Sequence, residues 1–305
     1  MVIILKKDIL LLISYLKCNK WKAKGLTEAE RDKILMVSTG LLLSMIFALM
    51  TTFMVPVIVL MWLLIKKKAK SVLFLFLIGA MSFFAGYILL VVPFEFFIFS
   101  KEAFTEFASK YNFVASLITA FDFGVAVMVA MVVFIYILKP GGITFNRMVA
   151  YAVGFFGIYN MYSYGIKYIT KFTMIESIQN DTLAEKYPDA SAESLAQIKE
   201  DVLSVSSLEY IAQGVRHVAL MIIGSAIAVT IVYAIINKKI VPAALKMFGY
   251  IVGACYAYDV VEHYVHPGAT IPVMIVAVIP AILIIKKFAK NPKEVMIKPE
   301  AMQML

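Results

Sequence analysis

The stretch Asn112-Phe-Val-Ala-Ser-Leu-Ile-Thr-Ala-Phe-Asp122-Phe-Gly-Val-Ala-Val-Met-Val-Ala-Met-Val-Val-Phe-Ile-Tyr-Ile-Leu138 carries one acidic side chain in an otherwise apolar run. About 18 consecutive apolar residues suffice for a helix to cross a bilayer, because a helix rises about 1.5 Å per residue. Comparable runs occupy residues 34–65, 71–99, 148–170, 208–237, 243–264 and 270–286. Hydrophobic residues make up 62% of the 305, and the mean hydropathy is +0.87. Both exceed the roughly half-apolar composition of a soluble domain. The expected fold is therefore an all-α polytopic membrane protein with about seven transmembrane helices. Pro56 is expected to kink the long first run, since proline removes one backbone donor and crowds the preceding turn.

The net charge of +9 does not point to nucleic acid. Most of it is lysine at the ends of apolar runs, where it anchors topology and meets anionic lipid. Lys66-Lys67-Lys68 with Lys70, Lys139 with Arg147, Lys238-Lys239, and Lys286-Lys287 with Lys290 follow the first, third, fifth and seventh runs. The positive-inside rule then sets the C-terminus in the cytoplasm and the N-terminus outside a plasma membrane. The lysine-rich stretch from Lys17 to Lys33 runs against that assignment. Either an interfacial anchor overrides the rule there, or the count is off by one. Cys18 and Cys255 lie in unlike contexts, which argues against a disulfide framework and a thiolate metal site. No small-residue cleavage site follows the Lys6-Lys7-Asp8 interruption, so no cleavable signal peptide is expected.

Three regions follow. Residues 1–33 form an N-terminal extension: 1–24 read as an amphipathic helix lying in the interface, and Thr27 with Glu30 as a capping box. Residues 34–287 form the helical bundle, interrupted by an acidic extramembrane loop at 171–207. Within that loop Asp189 to Val205 reads as helical, with Pro188 marking its boundary. Residues 288–305 form a basic C-terminal tail.

Ionisable groups at membrane depth are costly and face a bundle interior or a wet cavity. With the topology above, Asp122, Asn160, Glu209, Arg216, His217 and Asp259 all fall in the outer half of the spans or near the midplane, which predicts one polar cavity opening outward. Arg216, one of three arginines, needs a carboxylate partner, and Asp259 and Asp122 are the candidates. On a helix, Asp259, Glu262, His263 and His266 share a face. His217, Asp259 and His263 are candidate zinc ligands, and Glu262 a candidate general base for metal-bound water. The order Glu262-His263-x-x-His266 differs from the H-E-x-x-H motif.

The block Met54-Val-Pro-Val-Ile-Val-Leu, Lys66-Lys-Lys, Phe76-Leu-Ile-Gly-Ala-Met-Ser-Phe-Phe and Ile88-Leu-Leu-Val-Val-Pro resembles the first two spans of the YhfC-type membrane proteases. Those belong to the clan of CAAX-processing and bacteriocin-processing intramembrane endopeptidases. The resemblance covers roughly residues 40–287. It implies a paired glutamate with a downstream arginine, where this chain has only Asp122 in Ile118-Thr-Ala-Phe-Asp-Phe-Gly. It implies a glycine-rich histidine motif, where Gly154-Phe-Phe-Gly-Ile-Tyr-Asn160 has no histidine. The family's Glu-Arg motif is echoed by Arg216, and its late His-x-x-x-Asp becomes Cys255-x-x-x-Asp259. The expected function is that of a pseudoprotease, a non-catalytic binding or scaffolding subunit of a larger membrane complex with bound lipid. The alternatives are a zinc-dependent intramembrane endopeptidase and a proton- or ion-coupled transporter.

Overall fold

The computed structural model describes residues 28–67, 70–138, 143–180, 182–188 and 190–296. The N-terminal amphipathic segment and the Thr27 cap lie outside the described residues, as do residues 297–305 of the tail. The chain divides into Met1–Ser44 and Met45–Leu305. In the first, the described residues open a helix, and the Ser44 hydroxyl donates to the Leu41 carbonyl at 2.8 Å.

Among the described residues all regular elements are helical, the α-helices of four or more residues being α1 (Glu28–Leu49), α2 (Val55–Lys67), α3 (Lys70–Gly86), α4 (Glu102–Lys110), α5 (Asn112–Leu138), α6 (Phe145–Asn160), α7 (Ile166–Gln179), α8 (Leu183–Lys186), α9 (Ala192–Leu203), α10 (Ser207–Ile236), α11 (Ile240–Tyr264) and α12 (Thr270–Lys290). Among the described residues six stretches are long and apolar enough to cross a membrane: Thr39–Ile65, Ser71–Phe99, Asn112–Ile137, Ser207–Ile236, Ile240–Tyr264 and Pro267–Lys290. The sequence count was seven. The remaining run, 148–170, is helical, but Asn160, Ser163, Lys167 and its tyrosines make it too polar to qualify. It lies inside the bundle, packed along α3 and α10.

The predicted ends differ in three places. The helix before the acidic loop runs on to Gln179, so the loop begins about two and a half turns later than 171. An amphipathic helix, α4, fills a connector in which the sequence reading saw none. The tail is not free from 288: Phe288 is buried against Tyr233, and a short 3₁₀ turn, Pro292–Val295, buries Val295.

Local chemistry explains the interruptions. Pro56 follows a π-helical turn at Met50–Met54, and Pro93 lies between two more, at Tyr87–Val91 and Glu95–Phe99. A proline cannot donate to the carbonyl four residues back and its ring crowds that carbonyl, so a wider turn relieves the clash. A further π-turn, Met161–Gly165, joins α6 to α7 without a proline. The start of α10 is fixed by Ser206, whose hydroxyl accepts the Glu209 N–H at 3.2 Å. Ser206-x-x-Glu209 has the sequence pattern of a capping box, with the serine half of it formed.

α10 is the axis of the bundle. It packs on α5, α6, α11 and α12, and residues such as Leu220, Ile223, Ala226, Ile227 and Val229 are fully buried. By contrast α11 and α12 keep rows of exposed apolar side chains, including Val241, Leu245, Val276 and Leu283. Those rows suit a lipid environment.

The tightest helix pair is α3 with α6. A Cβ on Gly79 would collide with the Tyr151 carbonyl, and one on Gly154 with the Phe76 carbonyl. Small residues let the backbones approach this closely where helices associate in lipid. Gly154→Ala and Gly79→Ala are therefore expected to destabilise the protein by about 1–3 kcal/mol through overpacking. Gly253→Ala, whose Cβ would meet open space, is expected to leave stability unchanged or raise it. Thermal unfolding of the detergent-solubilised variants checks the contrast.

Candidate functional site

Three groups of polar side chains occupy the half of the bundle that carries the α3–α5, α7–α10 and α11–α12 connections. The first is a row centred on His217, which is fully buried. Its Nδ1 lies 2.8 Å from the Thr52 hydroxyl, and its Nε2 faces the Tyr168 hydroxyl at 3.5 Å. Tyr168 donates to Gln213 Oε1 at 2.7 Å, and Gln213 donates to the Glu209 carboxylate at 3.3 Å. One set of proton positions partners the whole row: Thr52 donates to Nδ1, Nε2–H donates to Tyr168, Tyr168 to Gln213 and Gln213 to Glu209. The Thr52 oxygen also lies 2.7 Å from the Ala48 carbonyl, an alternative acceptor for its one proton. Asn160, also fully buried, donates to the His217 carbonyl at 3.3 Å.

The second group surrounds Arg216. One terminal nitrogen donates to the Tyr164 hydroxyl at 2.9 Å. The other stands 3.9 Å from an Asp259 oxygen, a charge–charge contact too long for a good hydrogen bond. The guanidinium sits 4.4 Å from the Tyr258 ring centre and 5.6 Å from that of Tyr164. A desolvated cation over an aromatic face is stabilised by roughly 1–2 kcal/mol. Tyr258 in turn donates to Glu262 at 3.1 Å. Arg216 is thus held by two tyrosines as much as by its carboxylate.

The third group lines a cavity of about 280 Å³ between α3, α5 and the α6–α7 run. Asp122, only 8% exposed, contributes to its wall together with Tyr159, Ser163, Tyr164 and Lys167. Tyr164 joins this cavity to the Arg216 group.

The six residues expected around one polar cavity are therefore brought to one half of the bundle, but into three groups. Asn160, Glu209 and His217 belong to the buried row, Arg216 pairs with Asp259, and Asp122 faces the cavity. The candidate zinc ligands have separate engagements: His217 with Thr52 and Tyr168, Asp259 with Arg216, and His263 with the Asn112 side chain. Among the described residues no group of three His, Cys, Asp or Glu is placed to hold a metal ion. Glu262 accepts from Tyr258. His266 leaves the face it was expected to share, because α11 ends at Tyr264. Its Nδ1 instead accepts the Gly268 N–H at 3.0 Å and caps the 3₁₀ turn Pro267–Ala269.

Sequence reasoning passed over Thr52, Tyr164, Tyr168 and Tyr258 as individual site residues. A usable signal was present: Phe155, Tyr159, Ser163 and Lys167 recur every four residues in a segment too polar for a simple span.

The family described as a domain of unknown function (DUF4386) matches residues 72–285, and the chain belongs to that family. The matched region includes the cavity and both the Arg216 and His217 positions, but not Thr52. Comparison with curated proteins and with solved structures gave no match.

Arg216→Met is expected to destabilise the protein by about 1–3 kcal/mol, and Asp259→Leu by more, because it strands a buried cation. The double variant is expected to recover part of the loss. Tyr164→Phe, which removes one hydroxyl, should cost about 1 kcal/mol. A double-mutant cycle on thermal unfolding measures all three.

Proposed function

We propose that this DUF4386 chain is a non-catalytic binding and scaffolding protein of the membrane, acting as a subunit of a larger assembly on a protease-like scaffold. One observation carries the reading. The side chains with chemical potential in the polar half, Arg216, His217, Asp259, Glu262 and His263, each engage another side chain of the fold. Hydrolysis needs a nucleophile or activated water, a base within reach and a place for the reacting atom beside both. In this bundle the lined empty space lies instead beside Asp122 and an aromatic wall, which suits retention of a ligand. The acidic segment around α9 offers a charged extramembrane surface to a partner.

The purified protein is expected to leave a membrane-tethered peptide intact and to retain a stoichiometric ligand or partner after mild solubilisation, as read by native mass spectrometry. Cleavage abolished by Glu262→Gln would overturn the reading in favour of an endopeptidase. Solute-driven proton flux in liposomes, lost in Asp259→Asn, would overturn it in favour of a carrier.

A further inference from the structure

The cavity beside Asp122 has an ordered chemistry. Phe155, Tyr159, Ser163 and Lys167 line one wall at successive turns, spanning about 18 Å at 1.5 Å per residue. The wall therefore changes from purely aromatic at its deep end to cationic at Lys167, which is exposed at the rim. On α5, Asp122 and Phe123 line the same cavity, and Asp122 is buried.

The rings are fixed by one another. Phe83 meets Tyr87, Phe155 and Tyr159 with centroids 5.6, 5.8 and 5.9 Å apart, and Phe123 meets Tyr159 at 4.9 Å. The π-turns at Tyr87–Val91 and Met161–Gly165 supply Tyr87, Ser163 and Tyr164 to the lining. Such turns often mark functional sites.

Aromatic faces carry negative potential and attract ammonium groups, most strongly where water is excluded. A buried carboxylate in the same wall adds to that potential. A lysine at the mouth selects an anion. The volume, about 280 Å³, is small for a drug-sized ligand pocket and suits a head group. Along that wall Tyr159 and Lys167 are eight residues apart, about 12 Å of helix rise, more than the two charges of an α-amino acid, carried on adjacent carbons, can span. An ammonium separated from a phosphate by a short carbon bridge reaches further.

We propose that this cavity binds an ammonium–phosphate zwitterion, with the ammonium among the rings beside Asp122 and the phosphate at Lys167. The ligand is either the head group of an aminophospholipid or the corresponding free aminoalkyl phosphate ester. The inference rests on the binding reading above and names its ligand class.

The test uses the full chain, in detergent for calorimetry and in nanodiscs for native mass spectrometry. Glycerophosphoethanolamine is expected to bind saturably, and Asp122→Asn and Lys167→Gln each to weaken it tenfold or more. Choline, which lacks the phosphate, is expected to lose affinity in Asp122→Asn and to be unaffected by Lys167→Gln. Inorganic phosphate alone should not saturate. In nanodiscs, stoichiometric retention of phosphatidylethanolamine over phosphatidylglycerol identifies a lipid source. Binding of the free ester without lipid retention identifies a soluble one. Lys167 is exposed, so Lys167→Gln folds even if Asp122→Asn does not, and its selectivity between the ester and choline then decides alone.

Absence of saturable binding by any ammonium ligand, or binding indifferent to Lys167→Gln for ester and choline alike, overturns the proposal. If a different molecule is retained and is lost in the cavity-filling Ser163→Phe, the zwitterion falls while the binding reading stands. Peptide cleavage sensitive to Glu262→Gln removes the binding reading itself.

Discussion

A guanidinium buried in an apolar bundle sets the terms for this half of the molecule. Arg216 cannot shed its charge by deprotonation, so the fold must replace its hydration shell. It does so with two aromatic faces, one phenol oxygen and a carboxylate at 3.9 Å. Those partners come from two segments, Tyr164 from the π-turn between α6 and α7, and Tyr258 and Asp259 from α11, around Arg216 on α10. The cation therefore ties the π-turn and α11 to the central helix. Its Nε has no partner among the described residues, so the replacement is incomplete. Buried ionic groups contribute conformational specificity in some proteins at a cost in stability, and this arginine has the geometry for that role.

The π-turns are the second constraint. An α-helix repeats every 3.6 residues, and one extra residue in a turn rotates everything beyond it by about 100°. At Met50–Met54 the wide turn carries Thr52, which reaches His217. At Met161–Gly165 it carries Ser163 toward the cavity and Tyr164 toward Arg216. At Gly165 the chain passes so close to Phe53 and Thr52 that a Cβ would clash with the Phe53 ring. The distortions are thus locked by packing, and they aim polar side chains inward from helices whose other faces meet lipid.

Much of the architecture could be read from hydropathy because the signal is long and strong. The predicted runs at 112–138 and 208–237 match α5 and α10 within a residue or so. The 148–170 run was placed, but its role was not: its apolar face and its tyrosine–serine–lysine face average to a middling hydropathy, which hides a helix that packs inside the bundle. Site membership was legible only as a tendency of Asp122, Asn160, Arg216, His217 and Asp259 to lie in one half. Their division into a row, a pair and a cavity depends on helix rotation, and the π-turns reset rotation in ways periodicity does not reveal. The shared face for His266 failed for a simpler reason. The residue before a proline is pushed out of the helical region, and His266 is extended at φ −174° with its ring turned back to cap Gly268.

The distribution of satisfied and unsatisfied groups bears on what such a site can do. Catalysis in a low-dielectric site demands donors and bases that are pre-placed yet available to a substrate. In the His217 row the groups are pre-placed but consumed, each answering the next from Thr52 to Glu209. A chain of that kind rigidifies the helices that carry it. The cavity beyond Tyr164 differs in holding a space: its rings are braced against one another around it, and Asp122, itself engaged within the fold, and Lys167 line it. Preorganisation lowers the entropy cost of binding because few side chains must be ordered on ligand entry. The Arg216 cluster and the His217 row thus act as the frame, and the cavity as what is framed. Tyr164 is the member common to frame and cavity, its hydroxyl accepting from Arg216 while its side chain lines the cavity wall.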